Sequence, residues 1–368
     1  MSVDLKRFVD INIKPHVTSQ VKGTRDTVRM YIDIHSTELP SVDLIVASYA
    51  NAKASLSEAW FAYIEKELTA YFGNGGNKLH IVSYTGGGST GGSGAIIAEL
   101  QKPENNNEIV VCFPEQSAPG FDAVVSAING SSYGINEKIF VRCTNGIPVS
   151  DDDEDRRKKV ALKYSATKPE VCMTIAAYLS QIDVYKQDSI YDYMFTQENA
   201  TAETLTDTQY GYLIANNINV DITLANAVRN CGGNCKDGSD LVNEYCRIVL
   251  HQTLTDVLID LLSQKIKNST GLSKIYTVMC QELSKYVASG YLTTDKCWTD
   301  QDMVVTYNGS QYTIIGKGTA LENGYLIKIL PYESLTEADK LAHKTPPIYV
   351  VLASQYGIRM ITVNGEVI

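Results

Sequence analysis

The sequence predicts a mixed α/β (α+β) fold with more than one domain and with strands at both ends of the chain. The chain has 368 residues, more than the roughly 250 to 300 at which a single hydrophobic core stops growing. Alternating and helical hydrophobic periods both occur along it, so strands and helices are interspersed. A short segment near the N-terminus alternates apolar and polar side chains, the period of a half-buried strand, and a further strand is predicted near the C-terminus.

The composition is that of a folded protein, and it disfavours two classes of partner. Hydrophobic residues make up 44% and charged residues 20% of the chain, so it does not have the low hydrophobicity of a disordered protein. The net charge of -10 disfavours nucleic acid and anionic membrane, which attract a positive excess, and favours a basic partner surface. No apolar run approaches the ~18 residues of a membrane span, so membrane insertion is not expected.

The cysteines and the first residues indicate synthesis in a reducing cytoplasm. Eight cysteines are spread along the chain, and no apolar signal stretch follows Met1. Free thiols are therefore expected rather than a disulfide framework.

Changes in composition divide the chain into five predicted segments. The clearest change is a run of acidic and then basic residues, which is typical of a solvated loop or boundary. The segments are an N-terminal arm with a donated strand (1–26), a mixed α/β domain (27–150), a charged linker (151–165), a second α/β domain with a long helix pair (166–345) and a C-terminal strand arm (346–368).

In the first of these domains, strands alternate with helices. The clearest helix is predicted at 56–72, with Ser55 as its N-cap and a glycine-rich turn at its end. The strands are predicted at 28–34, 78–84, 109–113 and 138–143.

The second half is predicted to contain two long helices between groups of strands. The wide apolar faces of the helices at 240–265 and 272–289 indicate that they pack against a sheet or against each other. Asn308-Gly309 is a strong two-residue hairpin signal. The other predicted elements are helices at 169–182 and 206–216 and strands at 190–195, 218–222, 303–307, 311–315, 325–330, 348–352 and 358–363.

A glycine-rich stretch at 85–94 follows a strand and precedes a helical segment, where a phosphate-binding loop would lie. It lacks the Gly-Lys-Ser/Thr ending of a P-loop, and no acidic residue closes a following strand to hold a ribose. A surface loop is therefore the favoured interpretation, and a nucleotide-binding α/β enzyme is the alternative.

The cysteines and histidines form no recognisable catalytic or metal motif. Cys231 and Cys235 have a zinc-like spacing, but a structural zinc site needs four ligands and no second pair accompanies them. A glycine turn with incidental thiols is favoured. The five histidines are isolated from one another, and the acidic run at 151–155 lacks the EF-hand pattern. No catalytic residue, cofactor site or metal site is predicted.

The terminal strands point most directly to a function. A tethered strand of one subunit can add to the exposed sheet edge of another, with backbone hydrogen bonds supplying much of the affinity. Each bond contributes roughly 0.5 to 1.5 kcal/mol net, so an assembly needs many such contacts. The alternative is that the strand containing Val9, Ile11 and Ile13 completes the sheet of its own chain.

Several segments resemble the contractile tail sheath proteins of phages and phage-tail-like particles. Residues 62–84 are similar to the helix, Phe-x-Asn-Gly-Gly turn and strand of that family. The glycine-rich stretch 85–94 and the charged run 151–159 depart from the family pattern and carry no inherited role. The other similar segments are Leu5-Lys-Arg-Phe-Val-Asp-Ile-Asn-Ile13, Leu205-Thr-Asp-Thr-Gln-Tyr210 with Asn219-Val-Asp221, Ala288-Ser-Gly-Tyr-Leu292, Lys340-Leu-Ala-His-Lys-Thr-Pro-Pro-Ile-Tyr-Val350 and 358–363.

The resemblance implies a sheath-type fold with extended N- and C-terminal strand arms and a structural role, not an enzymatic one. Sheath subunits polymerise around an inner tail tube and are joined by strands donated to their neighbours. Contraction of the sheath drives the tube through the target cell envelope. The implied subunit-interface residues are Val9, Ile11 and Ile13 in the N-terminal arm and Ile358, Met360, Ile361 and Val363 in the C-terminal strand.

The resemblance also implies the partners and the location. The partners are further copies of the chain, the tail tube protein, and the baseplate and tail terminator proteins, with no nucleic acid. The location is the virion tail, assembled in the bacterial host cytoplasm, and the second-half helices are candidates to face the tube. Another structural tail component is an alternative, although tube subunits are usually smaller than this chain.

Overall fold

Helices and strands alternate through the chain, and the predicted α+β fold is confirmed. The computed structural model describes residues 25–35, 37–85, 92–115, 120–129, 137–149, 159–263 and 268–355. In chain order the elements are β1 (Thr27–Asp33), β2 (Asp43–Val46), α1 (Tyr49–Ser55), α2 (Glu58–Gly73), β3 (Lys78–Tyr84), α3 (Ser93–Leu100), β4 (Val110–Phe113), α4 (Phe121–Asn129), β5 (Ile139–Thr144), β6 (Val160–Tyr164), α5 (Met173–Ser180), α6 (Asp207–Ala215), β7 (Ile218–Leu224), β8 (Ala227–Cys231), α7 (Leu241–Ser263), α8 (Asn268–Ala288), β9 (Met303–Tyr307), β10 (Ser310–Ile315), β11 (Tyr325–Ile329), α9 (Glu337–Leu341) and β12 (Ile348–Leu352).

Eight strands form one large sheet in the order β2-β3-β1-β4-β5-β6-β7-β8. The strands from β3 to β7 are parallel, while β2 and β8 pair antiparallel at the two edges. Helices α2, α5 and α7 pack on one face, and α3, α4 and α6 pack on the other. Strands β4 and β6 are consequently buried along their whole length, as expected for parallel strands covered on both faces.

Two smaller sheets follow the long helices. One is the hairpin β9–β10, and the other is the antiparallel pair β11–β12, which we call the ribbon. A separate hydrophobic cluster that includes Ile314, Leu321 and Leu330 lies between the hairpin and the ribbon. Among the helices of the described part, none combines the length and apolar character needed to cross a bilayer.

The predicted linker at 151–165 is wrong at its C-terminal end. Val160–Tyr164 forms β6, which pairs with β5 on one side and β7 on the other. The large sheet therefore runs across the position where the sequence predicted a break between two domains. The prediction failed because Lys163 makes this stretch look like a continuation of the charged run, whereas its side chain is fully buried.

Two further local predictions differ from the structure. The strand predicted at 190–195 is wrong, because this stretch is irregular and Phe195 has a positive φ of 66°. The predicted N-cap Ser55 is the last residue of α1, and the hydroxyl of Ser57 caps α2 by accepting a hydrogen bond from the Trp60 amide. The sequence did not predict β2, α1 or β8.

A buried ionic cluster holds strands β6 and β7 of the large sheet to the segment that precedes α6. The Lys163 ammonium on β6 lies 2.8 Å from Asp221 Oδ1 on β7 and also pairs with Glu198. It donates to the hydroxyls of Thr174 at 2.7 Å and Tyr193 at 3.2 Å. Because all of these groups are buried, each charge depends on the others for compensation.

Replacing the Lys163 cation should destabilise the fold strongly. Lys163→Met removes the cation that compensates the buried carboxyl groups of Glu198 and Asp221, and breaking a buried ion pair in this way costs about 3 to 5 kcal/mol. Urea denaturation measures the loss. The matched control is Lys340→Met, which breaks an ion pair with the exposed Glu337 and should leave the free energy of unfolding nearly unchanged. Equal effects of the two substitutions would contradict the role of the cluster.

The same cluster predicts a pH dependence of stability. Burial raises the pKa of Asp221 from 3.8 to about 7, although the nearby Lys163 cation opposes the shift. Between these two pH values the folded state holds a proton that the unfolded state has lost, so this group makes the free energy of unfolding fall as pH rises. We expect Asp221→Asn to remove this part of the pH dependence, measured as the difference in urea midpoint between the two proteins from about pH 4 to pH 8. Parallel pH profiles would show that Asp221 does not titrate in this range.

Candidate subunit interface

The residues predicted to join neighbouring subunits lie outside the described residues, so the structure does not place them. They are Val9, Ile11 and Ile13 in the N-terminal arm and Ile358, Met360, Ile361 and Val363 in the C-terminal strand. The structure instead shows the sheet edges that are open to an added strand. An edge can accept a strand only where its outward N–H and C=O groups are unpaired and accessible.

One edge of the large sheet is covered by the chain itself. The segment at 195–198 lies along β8, where the Phe195 amide donates to Asn230 O at 2.8 Å and the Asn230 amide donates to Thr196 O at 3.0 Å. The Glu198 amide donates to Val228 O, also at 3.0 Å. The same Glu198 carries the carboxylate that pairs with Lys163. The buried cluster therefore holds this covering segment in place.

The other edge, β2, is short and charged. It has four residues, follows Pro40, and begins with Asp43, whose side chain is exposed. Short length, proline and charge are the usual means of protecting an edge from further pairing.

A histidine ties β2 to the interior. His80 Nε2 lies 2.7 Å from Asp43 Oδ1, and His80 Nδ1 lies 2.6 Å from Glu108 Oε1. Burial acts to lower the pKa of His80, but the hydrogen bonds with Glu108 and Asp43 outweigh it and the pKa is raised. A neutral imidazole has one N–H, so two carboxylate partners favour the imidazolium form.

The ribbon, in contrast, has outer edges that are open along β11 and β12, while the residues just after β12 pair with 291–293. The Leu330 amide donates to Pro347 O at 3.1 Å, and the Ala353 amide donates to Gly324 O at 2.9 Å. Hydrogen-bonded pairs alternate along an antiparallel ladder, so the residues between these two bonds point their backbone groups alternately inward and outward. In the described part of the chain, no strand pairs with the outer side of either β11 or β12. The outward-facing residues are Tyr325, Ile327 and Ile329 on β11 and Ile348, Val350 and Leu352 on β12.

The ribbon is apolar on both faces but incompletely covered. The residues whose backbone groups point outward direct their side chains toward the main core. The side chains of Leu326, Tyr349 and Val351 pack toward the smaller cluster beside the hairpin. Only Ile348 and Val351 of its ten residues are buried, and most of the others are half-buried. Two strands alone rarely form a stable sheet, so an added strand would both pair the edges and cover this apolar surface.

The hairpin β9–β10 also has open edges, but its strands are less suited to extension. Asn308 and Gly309 both have positive φ, so they form the tight turn that the sequence predicted. The register shifts between Thr313 and Ile315, and such a bulge twists the strand and interrupts regular pairing. Its outward faces carry exposed residues, including Val304 at 48% exposure.

The cysteine pair that has zinc-like spacing forms a glycine turn. Cys231 and Cys235 are buried, and Gly232 has a φ of 123°, a conformation that other residues rarely adopt. A Cβ on Gly232 would lie 2.6 Å from Asn219 Oδ1, which accepts a hydrogen bond from the Gly233 amide. In the ranges that the structure covers, no three His, Cys, Asp or Glu residues are arranged to hold a metal ion.

The other candidate for chemistry, the glycine-rich stretch, lies between β3 and α3. Its residues 86–91 are outside the described residues. Gly92, which has a φ of 71°, precedes α3, and no side chain caps that helix. The described residues around this stretch therefore add no observation that supports the nucleotide-binding alternative.

Sequence reasoning predicted both ribbon strands but did not identify them as a site. The available signal was the set of prolines around two apolar strands, with Pro331 after one and Pro346-Pro347 before the other. The long distance between these strands in sequence gave no indication that they pair with each other.

Comparison with solved structures finds chains of contractile injection systems over almost the full length. A chain in the baseplate structure of the anti-feeding prophage (AFP) aligns with a TM-score of 0.63 and 14% identity, covering 97% of this chain and 96% of that chain. A chain in the contracted AFP helical sheath aligns with a TM-score of 0.60 and 15% identity, covering 100% of this chain and 97% of that chain. A chain in the contracted sheath complex of PVC, which is an extracellular contractile injection system, aligns with a TM-score of 0.58 and 11% identity. The alignment covers 98% of this chain and 96% of that chain.

The similarity is therefore in structure more than in sequence. No protein-family model matches the chain, and no curated protein matches it. At such low identity, the alignments establish the fold. The chain has the fold found in the sheaths of contractile injection systems, and the sheath-type fold predicted by the sequence resemblance is confirmed.

Proposed function

We propose that this chain is the structural subunit of a contractile sheath. It polymerises around an inner tube and contracts to drive the tube through a target cell envelope. The observation that carries the proposal is the near-full-length alignment with chains of contracted sheaths. The open ribbon supports it independently, because a subunit that is joined to others by strands needs an accepting edge.

Strand addition at the ribbon is the proposed mechanism of assembly. Each edge of the ribbon offers three outward-facing residues, and an arm strand paired along one edge would form about four to six backbone hydrogen bonds, each contributing roughly 0.5 to 1.5 kcal/mol. Half-buried apolar side chains such as Ile327 and Val350 would be covered at the same time. A single junction is then modest in strength, and the polymer is held together by the number of junctions.

The proposed role is structural, not enzymatic. The proposed partners of the chain are further copies of itself, an inner tail tube, a baseplate and a tail terminator. Its proposed location is the tail of a virion or a related particle assembled in a bacterial cytoplasm. The structures that it resembles come from a sheath and a baseplate, which supports self-association and contact with a baseplate. Contact between the second-half helices and the tube remains a sequence-based prediction.

Removal of the N-terminal strand should abolish polymerisation without unfolding the body. We expect the full-length chain to form hollow tubes or rings in negative-stain electron microscopy, and a variant without residues 1–14 to remain folded and monomeric. Circular dichroism and the urea midpoint establish that the truncated body is folded. If the full-length chain stays monomeric even with tail tubes supplied, the sheath proposal is wrong.

The alternation of the arm provides a control for this experiment. Ile11→Asp puts a charge on the predicted apolar face and should prevent polymerisation, whereas Asn12→Asp adds the same charge on the predicted polar face and should be tolerated. Loss of polymer in both variants would indicate a general charge effect.

A proline on the ribbon tests the accepting edge. The Val350 amide faces outward, so Val350→Pro removes a donor that the isolated subunit does not use, and proline is tolerated at such edge positions. We expect a folded monomer that no longer polymerises, measured by sedimentation and electron microscopy. The matched control is Val304→Pro on the outer side of the hairpin strand β9, which should still polymerise. The reverse result would move the junction from the ribbon to the hairpin.

A further inference from the structure

The described chain begins at a clamp on helix α7. The Arg25 guanidinium lies 3.1 Å from Asp256 Oδ2 and donates to Gln252 Oε1 at 3.3 Å. The Tyr245 hydroxyl donates to the Arg25 carbonyl at 3.1 Å. Side-chain exposure is only 14% for Arg25 and 11% for Asp256, so water competes weakly for these bonds.

Helix α7 is itself firmly held in the core. It is buried on most sides, with Leu254 and Leu258 in the main hydrophobic cluster. Gln252 is also buried, and its side-chain amide donates to Asn106 O at 3.0 Å. The partners of Arg25 are therefore fixed to the body at a second point, which makes α7 a rigid anchor.

The described chain ends beside the neighbouring helix α8. The Gln355 amide donates to Tyr291 O at 2.8 Å, and the Thr293 amide donates to Ala353 O at 2.9 Å. Tyr291 follows the end of α8, where its own amide donates to Tyr286 O. The last described residues of the chain are thus held beside the residues that follow α8.

The two ends of the described chain are connected across the helix pair. The Tyr286 hydroxyl on α8 donates to Thr253 Oγ1 on α7 at 3.2 Å, and Thr253 is next to the Gln252 that holds Arg25. The rings of Tyr286 and Tyr291 pack edge to face, with their centroids 6.2 Å apart. A short chain of contacts, buried in its middle part, therefore runs from the half-buried Arg25 through α7 and α8 to the exposed Gln355.

We propose that Arg25 is a positioning residue that passes tension from the N-terminal arm into the α7–α8 pair. This inference rests on the proposed sheath function, in which neighbours pull on both arms. Arg25 is the first described residue and lies two residues before β1, so a force on the predicted N-terminal arm would reach this clamp before it reached the sheet. Strand β1 is bonded to both β3 and β4 in the large sheet, so without the clamp the force would act directly on that sheet.

Single-molecule pulling on the full chain, with handles at its two ends, tests the inference. At constant force we expect Arg25→Met to unfold about tenfold faster than the unchanged chain, a factor that corresponds to about 1.4 kcal/mol. Arg25→Lys, which keeps the charge beside Asp256, should recover part of the difference. Unfolding in urea, where no force is directed through the arm, should be accelerated less.

Two comparisons make the result specific to the clamp. Lys78→Met removes the ion pair of Lys78 with Asp26, which lies beside Arg25 but does not involve α7, and it should change the rate under force only slightly. The rate increase in the double variant of Asp256→Leu and Arg25→Met should be smaller than the product of the two single increases, because both changes break the same contact. The inference is wrong if Arg25→Met unfolds at the unchanged rate, or if Lys78→Met has an equal effect.

Assembled sheaths separate this inference from the function on which it rests. If the unchanged chain forms sheaths, Arg25→Met should form them too but show more broken sheaths after contraction, counted by electron microscopy. An equal fraction of broken sheaths overturns the inference and leaves the proposed function standing. If the unchanged chain forms no sheath with tail tubes supplied, the proposed function fails whatever the pulling result.

Discussion

The buried charge of Lys163 determines how the large sheet is completed. An ammonium group with no access to water has to be compensated within the protein, and here Asp221 on the adjacent strand and Glu198 on a distant segment supply the carboxylates. Fixing Glu198 lays the preceding residues along β8, so that edge is covered by its own chain. The opposite edge is short and is held through His80. Within the described ranges, the edges left for extension are therefore those of the two small sheets, and the ribbon is the more regular of the two.

The sequence predicted the elements whose side chains follow one clear period. Strands β3, β9 and β12 were predicted with their observed bounds, and α6 and β11 within one residue, because alternation or helical spacing is visible in each. Strand β6 could not be predicted from its pattern, because both of its faces are buried and one position is the paired Lys163. Residues 190–195 were mistaken for a strand because they are rich in aromatics, but Tyr193 serves the ionic cluster instead. In both cases a contact between distant parts of the chain overrode the local signal.

The sequence predicts only the donating side of the candidate interface, and that prediction falls on residues outside the described ones. A strand that can be donated is recognisable from its own alternation and from the polar tether beside it. An accepting edge is defined by what does not pair with it, and this depends on where every other strand goes. Residues 325–329 and 348–352 read as ordinary strands until the structure shows that they form a two-stranded ribbon between two apolar clusters. The charges that close the competing edges, on Asp43 and Glu198, also depend on partners far away in sequence.

The proposed mechanism places a condition on the source of the energy for contraction. Strand junctions that persist through contraction contribute the same free energy before and after, so they cannot favour either state; only interactions that differ between two states shift the balance between them. The driving force then has to come from contacts between the bodies of the subunits, outside the ribbon, and an extended array must be a kinetically trapped state until it is triggered. The junctions have a different task, which is to remain paired while the bodies move. This task favours many modest junctions, each anchored to a rigid part of the body, and the described ends of the chain are bonded to α7 and to the residues that follow α8.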